Sequence, residues 1–254
     1  MPHSKLQTIF NGIKSTTLAD VFIDRIVKVP DLDKLVTDAK AKSAVGGGSI
    51  RGIKQTEIVG GNATNIAYAL VKFGSETELF AIGDEFTRRL LDLRFQEFDN
   101  IKINMLKGKP GFTIALETGH NNDSNIMISD VGGIEKFNGI DITTNYLKII
   151  EESDIVIISN WASNLDGNQL VNEIFSTAKD SIKLLDFADL STSTSRLQGL
   201  IDNMKNNKII DMISLNENEC QILGKFLGLK ILVQNIQSMK LKQWHQIYHQ
   251  YWVQ

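Results

Sequence analysis

A glycine pair followed at close spacing by an asparagine is the segment of this chain best suited to hold a small polar ligand. Gly60 and Gly61 stand directly before a segment with helical periodicity, and Asn65 follows one turn into it. Two glycines let the backbone approach a ligand closely, and the start of the following helix offers unpaired N–H groups. Asn65 can both donate and accept hydrogen bonds, which suits a sugar hydroxyl. From spacing alone, a glycine turn leading into an ordinary core helix is an equally good interpretation.

A helix that starts after this glycine pair would carry Asn65 on its first turn. Residues Asn62–Phe73 place their apolar side chains on one helical stripe, and Gly74 stands where a glycine commonly ends a helix. The chain continues with a predicted strand at Glu78–Ile82 and a predicted helix at Thr87–Phe98. The glycine turn therefore lies where helices and strands alternate.

Three more short apolar runs follow, separated by segments of helical length. They are Asp154–Ser159, Ile182–Phe187 and Ile209–Leu215. Continuous apolar strands joined by helices are typical of a parallel sheet covered on both faces, and ligands of such folds bind at the carboxyl ends of the strands. An earlier run, Leu18–Ile26, is interpreted as a short strand that ends at Asp24 and leads into a loop. The sequence thus predicts an α/β protein with candidate ligand residues after its strands.

The composition is that of an ordinary folded protein. The chain has 254 residues, a formal charge of −3 at pH 7, 42% hydrophobic residues and 22% charged residues. These values exclude a disordered chain and a disulfide scaffold, and the near-neutral balance gives no support for binding to nucleic acid or to an anionic membrane. No apolar run approaches the roughly 18 residues of a membrane span, and the first ten residues lack the pattern of a secretory signal. With Cys220 as the single cysteine, the sequence predicts a soluble cytoplasmic protein.

The last stretch of the chain differs in composition from the rest. None of the 30 acidic residues lies after Glu219, whereas two of the three tryptophans lie there. One interpretation is a basic, aromatic peripheral helix, and the other is a change of reading frame near Gly228 that makes the tail foreign to the fold. The second interpretation is preferred. We therefore predict one domain over residues 1–228 and an atypical tail over residues 229–254.

The glycine turn and its surroundings resemble the first signature of the PfkB, or ribokinase-like, family of sugar and nucleoside kinases. That signature has two glycines, three residues, an asparagine, an alanine-rich helix ending in Leu-Gly, and a strand ending in Gly-x-Asp. The matching residues here are Gly60, Gly61, Asn65, Ala67, Ala69, Phe73, Gly74, Gly83 and Asp84. Phe73 stands where leucine is commoner, and Thr87 where a glycine often follows. A second match is Asn216 with Glu219, an Asn-x-x-Glu motif after a late strand, and the resemblance covers roughly residues 15–228.

The resemblance implies a ribokinase-like three-layer α/β/α sandwich, with a mostly parallel central sheet and a small β-sheet lid over the sugar. We expect the lid strands within residues 45–59 and 111–130, where the runs Gly111–Thr118 and Asn125–Asp130 flank a polar turn at residues 120–124. In many members the lid also makes a dimer contact, so a homodimer through the lid is expected. The implied reaction is ATP-dependent phosphoryl transfer to a hydroxyl of a sugar or nucleoside, with ATP and Mg²⁺ as cofactors.

The resemblance also implies roles for individual residues. Asp24 and Asn65, beside the Gly60–Gly61 turn, would bind hydroxyl groups of the substrate, since an ionised carboxylate only accepts hydrogen bonds and suits a polyol. The alternative for Asp24 is an ordinary turn residue at a strand end. Glu219, with Asn216, would hold the magnesium–water shell near the nucleotide phosphates, so its contact with the metal would be indirect. The alternative for Glu219 is the first turn of a helix, where a carboxylate stabilises the helix dipole.

One part of the family pattern is absent from the sequence. Members carry a downstream Gly-Ala-Gly-Asp-type motif, whose glycines open a helix that stabilises the phosphates and whose aspartate deprotonates the attacking hydroxyl. No such motif is present, and the pair Gly83-Asp84 belongs to the first signature. We therefore expect the C-terminal catalytic part to be missing from this chain. A catalytically inactive sugar-binding or regulatory protein on the same fold is the alternative.

Overall fold

The structure is a computed structural model. It describes residues 7–118, 124–139, 142–207 and 209–229. The chain divides into two compact units between Lys136 and Phe137. The predicted tail lies outside the described residues except for Leu229, as does most of the polar turn predicted at residues 120–124. The predicted boundary at residue 228 therefore stays a prediction.

The first unit contains a four-stranded sheet, three strands of the central sheet and the helices between them. Its strands are β1 (Lys14–Ala19), β2 (Phe22–Val29), β3 (Gln55–Gly60), β4 (Glu76–Gly83), β5 (Ile101–Lys107), β6 (Gly111–Thr118) and β7 (Ser124–Asp130). Its helices include α1 (Leu32–Ala44), α2 (Asn62–Lys72) and α3 (Glu85–Phe95), and a 3₁₀ turn covers Gly132–Lys136.

The second unit alternates helices and strands, as the three downstream apolar runs predict. Its strands are β8 (Ile155–Ile158), β9 (Ile182–Asp186) and β10 (Met212–Ser214). Its helices are α4 (Thr144–Glu151), α5 (Gly167–Thr177), α6 (Thr194–Asn207) and α7 (Glu217–Phe226). Short 3₁₀ turns follow β8 and β9, at Trp161–Ser163 and Leu190–Thr192.

The strands form two sheets of different kinds. The central sheet has six strands in the order β10-β9-β8-β1-β4-β5, and its pairs β1/β4, β4/β5, β8/β9 and β9/β10 are parallel. The second sheet, here called the lid sheet, has the order β3-β2-β6-β7 and is mixed, because β2 is antiparallel to β3 and parallel to β6. The predicted α/β class, with a parallel central sheet and a small lid sheet, is confirmed.

The helix that follows the glycine pair forms as its periodicity predicts. α2 spans Asn62–Lys72, and Gly74 follows it with a φ of 94°, a left-handed conformation that glycine adopts without steric cost. The backbone N–H of Ser75 donates to the carbonyl of Leu70 at 3.1 Å, which satisfies one of the last carbonyl groups of the helix. The next strand, β4, includes the predicted Glu78–Ile82.

The single strand predicted at Leu18–Ile26 is wrong, because two strands share this segment. β1 ends at Ala19 and pairs with β4 in the central sheet, whereas β2 begins at Phe22 and pairs with β3 and β6 in the lid sheet. The apolar run hid this boundary because Asp20, which lies between the strands, is itself only 1% exposed. Asp24 is therefore the third residue of a lid strand and does not end a strand of the central sheet.

The core of the first unit packs α2 and α3 against β4. Small side chains on α2 let its backbone approach the sheet closely. The buried residues of this cluster are Val21, Ala63, Ala67, Val71, Leu79, Ala81, Leu91 and Phe95. Burial of a leucine or phenylalanine side chain stabilises a fold by about 1.5–3 kcal/mol. This packing fixes the position of the first turn of α2, which carries Asn65.

The second unit is organised around a buried tryptophan. The ring of Trp161 meets the ring of Phe187 edge-on at 5.5 Å between centroids, and its Nε1 donates to Asn168 at 3.0 Å. The guanidinium carbon of Arg196 lies 4.6 Å from the centre of the Trp161 ring, and Arg196 also donates to the carbonyl of Ala162 at 2.7 Å. Trp161 and Arg196 therefore hold the turns after β8 and β9 together.

Helix α1 is unlike the other helices because none of its residues is buried. Its stabilising contacts are local: the side chain of Asp31 accepts a hydrogen bond from the Lys34 backbone at 2.8 Å, and the Lys34 ammonium pairs with Asp38 at 2.7 Å. Among the described residues, none of the helices is both long enough and apolar enough to cross a membrane.

Candidate functional site

The carboxylate of Asp24 lies on the lid sheet against the backbone of the glycine turn. Asp24 stands opposite Ile58 of β3 and opposite Thr113 of β6, and it is half-buried. A Cβ added at Gly60 would overlap Oδ2 of Asp24, so this side chain fills the space beside the glycine. The fold thus brings Asp24 and Gly60 together, as the sequence analysis expects, although Asp24 does so from the middle of a strand.

The surroundings of Asp24 change its acidity. Burial raises the pKa of the Asp24 carboxyl above its ordinary value of 3.8, because it disfavours the charged form. A hydrogen bond from Thr113 lowers this pKa, the negative charge of Asp20 raises it, and the positive charge of Arg94 lowers it. The net pKa is raised, which is common for carboxyl groups at functional sites.

Asp20, which is not a sequence candidate, caps the start of α2. Its Oδ2 accepts a hydrogen bond from the backbone N–H of Asn62 at 2.7 Å, and its Oδ1 accepts one from Ala63 at 2.8 Å. The expectation that the first N–H groups of this helix are unpaired is therefore wrong for these two residues. A buried carboxylate at a helix N-terminus satisfies both donors and interacts favourably with the helix dipole.

Gly61 is required by the same junction. Its φ is 96°, and a Cβ at this position would lie 2.9 Å from the carbonyl oxygen of Asp20 and 3.0 Å from the Cα of Val21. Backbone atoms cannot move aside as a side chain can, so the β1–β2 junction packs tightly on this glycine. Gly61 is therefore needed for the local backbone, whereas Gly60 is needed for the position of Asp24.

Asn65 is exposed on the first turn of α2 and is held by an arginine from α3. Its Oδ1 accepts a hydrogen bond from an Nη of Arg94 at 2.8 Å. The other Nη of Arg94 donates to the carbonyl of Val59, and its guanidinium carbon lies 5.0 Å from the centre of the Tyr68 ring. Arg94 was not a sequence candidate, because 29 residues separate it from Asn65 and no local pattern signals the pairing.

The two residues predicted for the nucleotide side lie in the second unit and contact each other. Oδ1 of Asn216 accepts from the backbone N–H of Glu219 at 2.9 Å, and Oε2 of Glu219 accepts from the backbone N–H of Asn216 at 3.0 Å. The Asn216 amide also donates to Oε1 of Glu219. This reciprocal arrangement is a capping box at the start of α7, so the helix-start alternative for Glu219 describes its contacts in the structure.

The contacts of Glu219 do not suit a direct metal ligand. Its side chain is buried, and both carboxylate oxygens accept hydrogen bonds from Asn216. Burial raises the pKa of the Glu219 carboxyl, the Asn216 backbone lowers it, and the charges of Asp186 and Asp189 raise it further. Within the part of the chain that the structure describes, no group of three or more His, Cys, Asp or Glu side chains could hold a metal ion.

Comparison by sequence identifies no relative of this chain. No protein-family model matches the sequence, and no curated protein matches it. Comparison by structure, in contrast, finds many similar folds.

The similar structures include two ribokinases and an adenosine kinase. A ribokinase from Cryptococcus neoformans var. grubii serotype A, in complex with ADP, matches over 95% of this chain and 69% of that one, with a TM-score of 0.66 and 13% identity. An Arabidopsis thaliana ribokinase complexed with ribose and ATP matches over 93% and 69%, with a TM-score of 0.56 and 15% identity. An adenosine kinase from Sinorhizobium meliloti matches over 85% and 68%, with a TM-score of 0.63 and 13% identity.

This chain spans about two thirds of the length of these kinases. At such low identity, structural likeness is evidence for the fold and not for an activity. The resemblance inferred from the glycine turn and the Asn-x-x-Glu motif is confirmed at that level. The chain has the ribokinase-like fold.

Proposed function

We propose that this chain provides the acceptor-binding part of a kinase that transfers a phosphoryl group from ATP to a hydroxyl group of a sugar or nucleoside. The observation that carries the proposal is the position of the Asp24 carboxylate against the backbone of Gly60, beside the start of α2. A half-buried carboxylate with a raised pKa next to a glycine turn is the kind of group that binds a polar ligand.

The side chains around the glycine turn have the chemistry that a hydroxyl needs. The Asp24 carboxylate, when ionised, accepts a hydrogen bond, and the Asn65 amide supplies donors. Gly60 has no side chain that would displace the Asp24 carboxylate from this position. The likeness to a ribokinase complexed with ribose and ATP supports the same class of acceptor.

ATP and Mg²⁺ are the cofactors that the proposed reaction requires. The similar ribokinases were solved with ADP and with ATP, which supports a nucleotide as phosphoryl donor. Asn216 and Glu219 enter the proposal as residues that position the start of α7 on the nucleotide side. Mg²⁺ would neutralise phosphate charge, but the capping box occupies both oxygens of Glu219, so no step is assigned to a metal held by this residue.

A second candidate is a non-catalytic protein that binds a sugar or nucleoside on the same fold. It is favoured by one specific observation: both carboxylate oxygens of Glu219 accept hydrogen bonds from Asn216, so this residue has no oxygen free for the magnesium–water shell that the kinase requires. Both candidates require the acceptor site of the first unit. They differ in whether bound acceptor is phosphorylated.

The proposal includes a homodimer through the lid sheet. Phe112, Ile114 and Ile128 are exposed, and cross-strand register places them on one face of β6 and β7. On the same face of the neighbouring strands, Arg25 pairs with Glu57, which leaves the face without net charge there. A second copy of this surface is therefore a suitable cover for it. Sedimentation equilibrium should show that the parent chain is a dimer and that Ile128→Lys is a monomer. A monomeric parent chain would contradict the proposed homodimer but not the proposed acceptor site.

The acceptor site is tested by titrating the chain with D-ribose and with adenosine in a calorimeter, then measuring ADP formation from ATP and magnesium chloride. Asp24→Asn is the test variant. Asp99→Asn, at an exposed position outside the site, is the matched control. If Asp24→Asn abolishes binding and Asp99→Asn does not, the result supports the acceptor site. ADP formation then distinguishes the kinase from the binding protein. An intact chain that binds neither compound would overturn the proposal.

Residence in the cytoplasm is also part of the proposal. It rests on Cys220, which is buried and is the single cysteine of the sequence. Localisation of a tagged chain in cells of its source would test it.

A further inference from the structure

We propose that Arg94 is a positioning residue of the acceptor site, which holds the carbonyl oxygen of Asn65 so that this amide presents only N–H donors to the acceptor. The inference rests on the proposed function and deepens it. It states which hydrogen-bonding group of the acceptor meets Asn65, and it gives a role to an arginine that no sequence motif contains.

The chemistry of the two groups fixes the orientation of the amide. A guanidinium has donors and no acceptor, so the atom of Asn65 that it contacts at 2.8 Å has to be the oxygen. The Nδ2 group of Asn65 then points the other way, and Asn65 itself is exposed. A free asparagine side chain could turn either its oxygen or its nitrogen toward a ligand, but this one is limited to its donors.

Arg94 is well placed to hold both sides of the glycine turn. One Nη contacts the carbonyl of Val59, the residue before Gly60, and the other contacts Asn65, four residues after Gly61. The planar fork of a guanidinium fixes two such contacts relative to each other, which a lysine ammonium does not. The Tyr68 ring, 5.0 Å from the guanidinium carbon, supports the fork from its face.

Arg94 has an energetic cost to the fold. Its Nε is buried and has no hydrogen-bond partner among the described residues. An unpaired buried donor is rare in native structures and calls for an explanation. An apolar side chain would pack α3 against α2 without leaving a buried donor unpaired, but it could not donate to the oxygen of Asn65 as Arg94 does.

The resulting site has a defined hydrogen-bonding pattern. Asn65 donates, and the ionised Asp24 accepts, so the best acceptor has one hydroxyl oxygen free to accept and one hydroxyl hydrogen free to donate. Two hydroxyls of one neutral polyol satisfy both. Asp20 already occupies the first N–H groups of α2, so this helix start offers no place for an anionic group of the acceptor. A sugar without a phosphate or carboxylate therefore fits best.

The decisive variants are Asn65→Asp, Arg94→Met and Arg94→Lys. In Asn65→Asp the carboxylate still accepts from Arg94, so the unfolding midpoint is kept or raised, while D-ribose binds about tenfold more weakly because the donors are lost. Arg94→Met frees the amide, and we expect binding about three- to tenfold weaker. Arg94→Lys should bind D-ribose as weakly as Arg94→Met, because a lysine ammonium does not fix the contacts to Val59 and Asn65 relative to each other. Arg89→Met, an exposed arginine on the same helix, serves as the control.

Nuclear magnetic resonance makes the inference independent of the proposed function. The side-chain amide signals of Asn65 are identified as the pair that disappears in Asn65→Asp. If Arg94 holds the amide, the Asn65 signals in Arg94→Met shift toward the chemical shifts of an exposed asparagine. In Arg89→Met they stay unchanged. Unchanged signals, or D-ribose affinity unchanged in both Asn65→Asp and Arg94→Met, would overturn the inference. If the parent chain binds no polyol, the proposed function fails, and the amide signals alone decide whether Arg94 orients Asn65.

Discussion

The carboxylate of Asp24 lies so close to the backbone of Gly60 that any side chain at position 60 would overlap its Oδ2. The next residue, Gly61, lies instead against backbone atoms of Asp20 and Val21. Two adjacent glycines therefore have different roles. Gly60 leaves room for the Asp24 side chain, which can rotate away. Gly61 leaves room for the backbone of the β1–β2 junction, which cannot.

We expect this difference to appear when each glycine is replaced by alanine. Gly60→Ala would displace the Asp24 carboxylate, so polyol binding is lost while the free energy of unfolding changes by less than about 1 kcal/mol, because a flexible side chain can rotate away. Gly61→Ala forces an alanine into positive φ against backbone and should destabilise the fold by about 1–3 kcal/mol. Urea unfolding and calorimetric titration of both variants measure the two effects. If Gly60→Ala and Gly61→Ala lost the same free energy of unfolding, the two glycines would have the same structural role.

Asp24→Asn should weaken ligand binding without weakening the fold. Because the pKa of Asp24 is raised in the folded state, the folded chain holds this proton more tightly than the unfolded chain. Its stabilising contribution is complete below the unfolded value of 3.8 and is lost as the pH rises through the folded pKa. The variant, which cannot ionise, should therefore have an equal or higher unfolding midpoint at pH 7. This advantage should vanish as the pH falls below 3.8. An Asp24→Asn variant with a lower unfolding midpoint than the parent chain at pH 7 would contradict this prediction.

Asp20→Ala should destabilise the first unit. It leaves the backbone N–H groups of Asn62 and Ala63 without the partner that they have in the structure. Loss of a helix cap of this kind costs about 2 kcal/mol. Thermal and urea unfolding measure the loss, and Asp99→Ala at an exposed site is the control. If both variants unfold at the same urea concentration, Asp20 does not stabilise the helix start.

Glu219 offers a test that separates a helix cap from a nucleotide-side role. Glu219→Gln retains a side chain that can complete the capping box and removes a charge that Asp186 and Asp189 disfavour, so stability should be kept. Glu219→Ala should lose about 1 kcal/mol. Chemical unfolding at pH 7 compares the two. A glutamine variant as unstable as the alanine variant would mean that the charge itself, rather than the hydrogen bonds, stabilises α7.

The elements with strong local patterns could be predicted from the sequence. α2 forms where the apolar stripe of residues 62–73 indicates it, and it ends before Gly74 for the expected reason. The pair Gly83-Asp84 also has a local role, because Oδ1 of Asp84 accepts from the backbone N–H of Thr87 at 2.9 Å and so caps α3. Such signals are contained within a few residues of sequence, and this is why they could be read directly.

The contacts that define the candidate site were less accessible to sequence reasoning. Asp20 and Arg94 act on residues 42 and 29 positions away, through pairings that only the folded sheet and helices bring about. The boundary between β1 and β2 was hidden for a related reason. A buried aspartate replaces the usual turn residues there, so the apolar run continues across two sheets.

Helix α1 joins two neighbouring lid strands, β2 and β3, yet buries none of its 13 residues. A helix of this length is marginal in water on its own, and its cap and its Lys34–Asp38 pair both come from its own segment. Its melting is therefore nearly uncoupled from the core, and amide hydrogen exchange within α1 reports local opening only. The same independence makes this segment a natural insertion point, where a fluorescent label or an affinity tag would leave Asp24 and Gly60 in register.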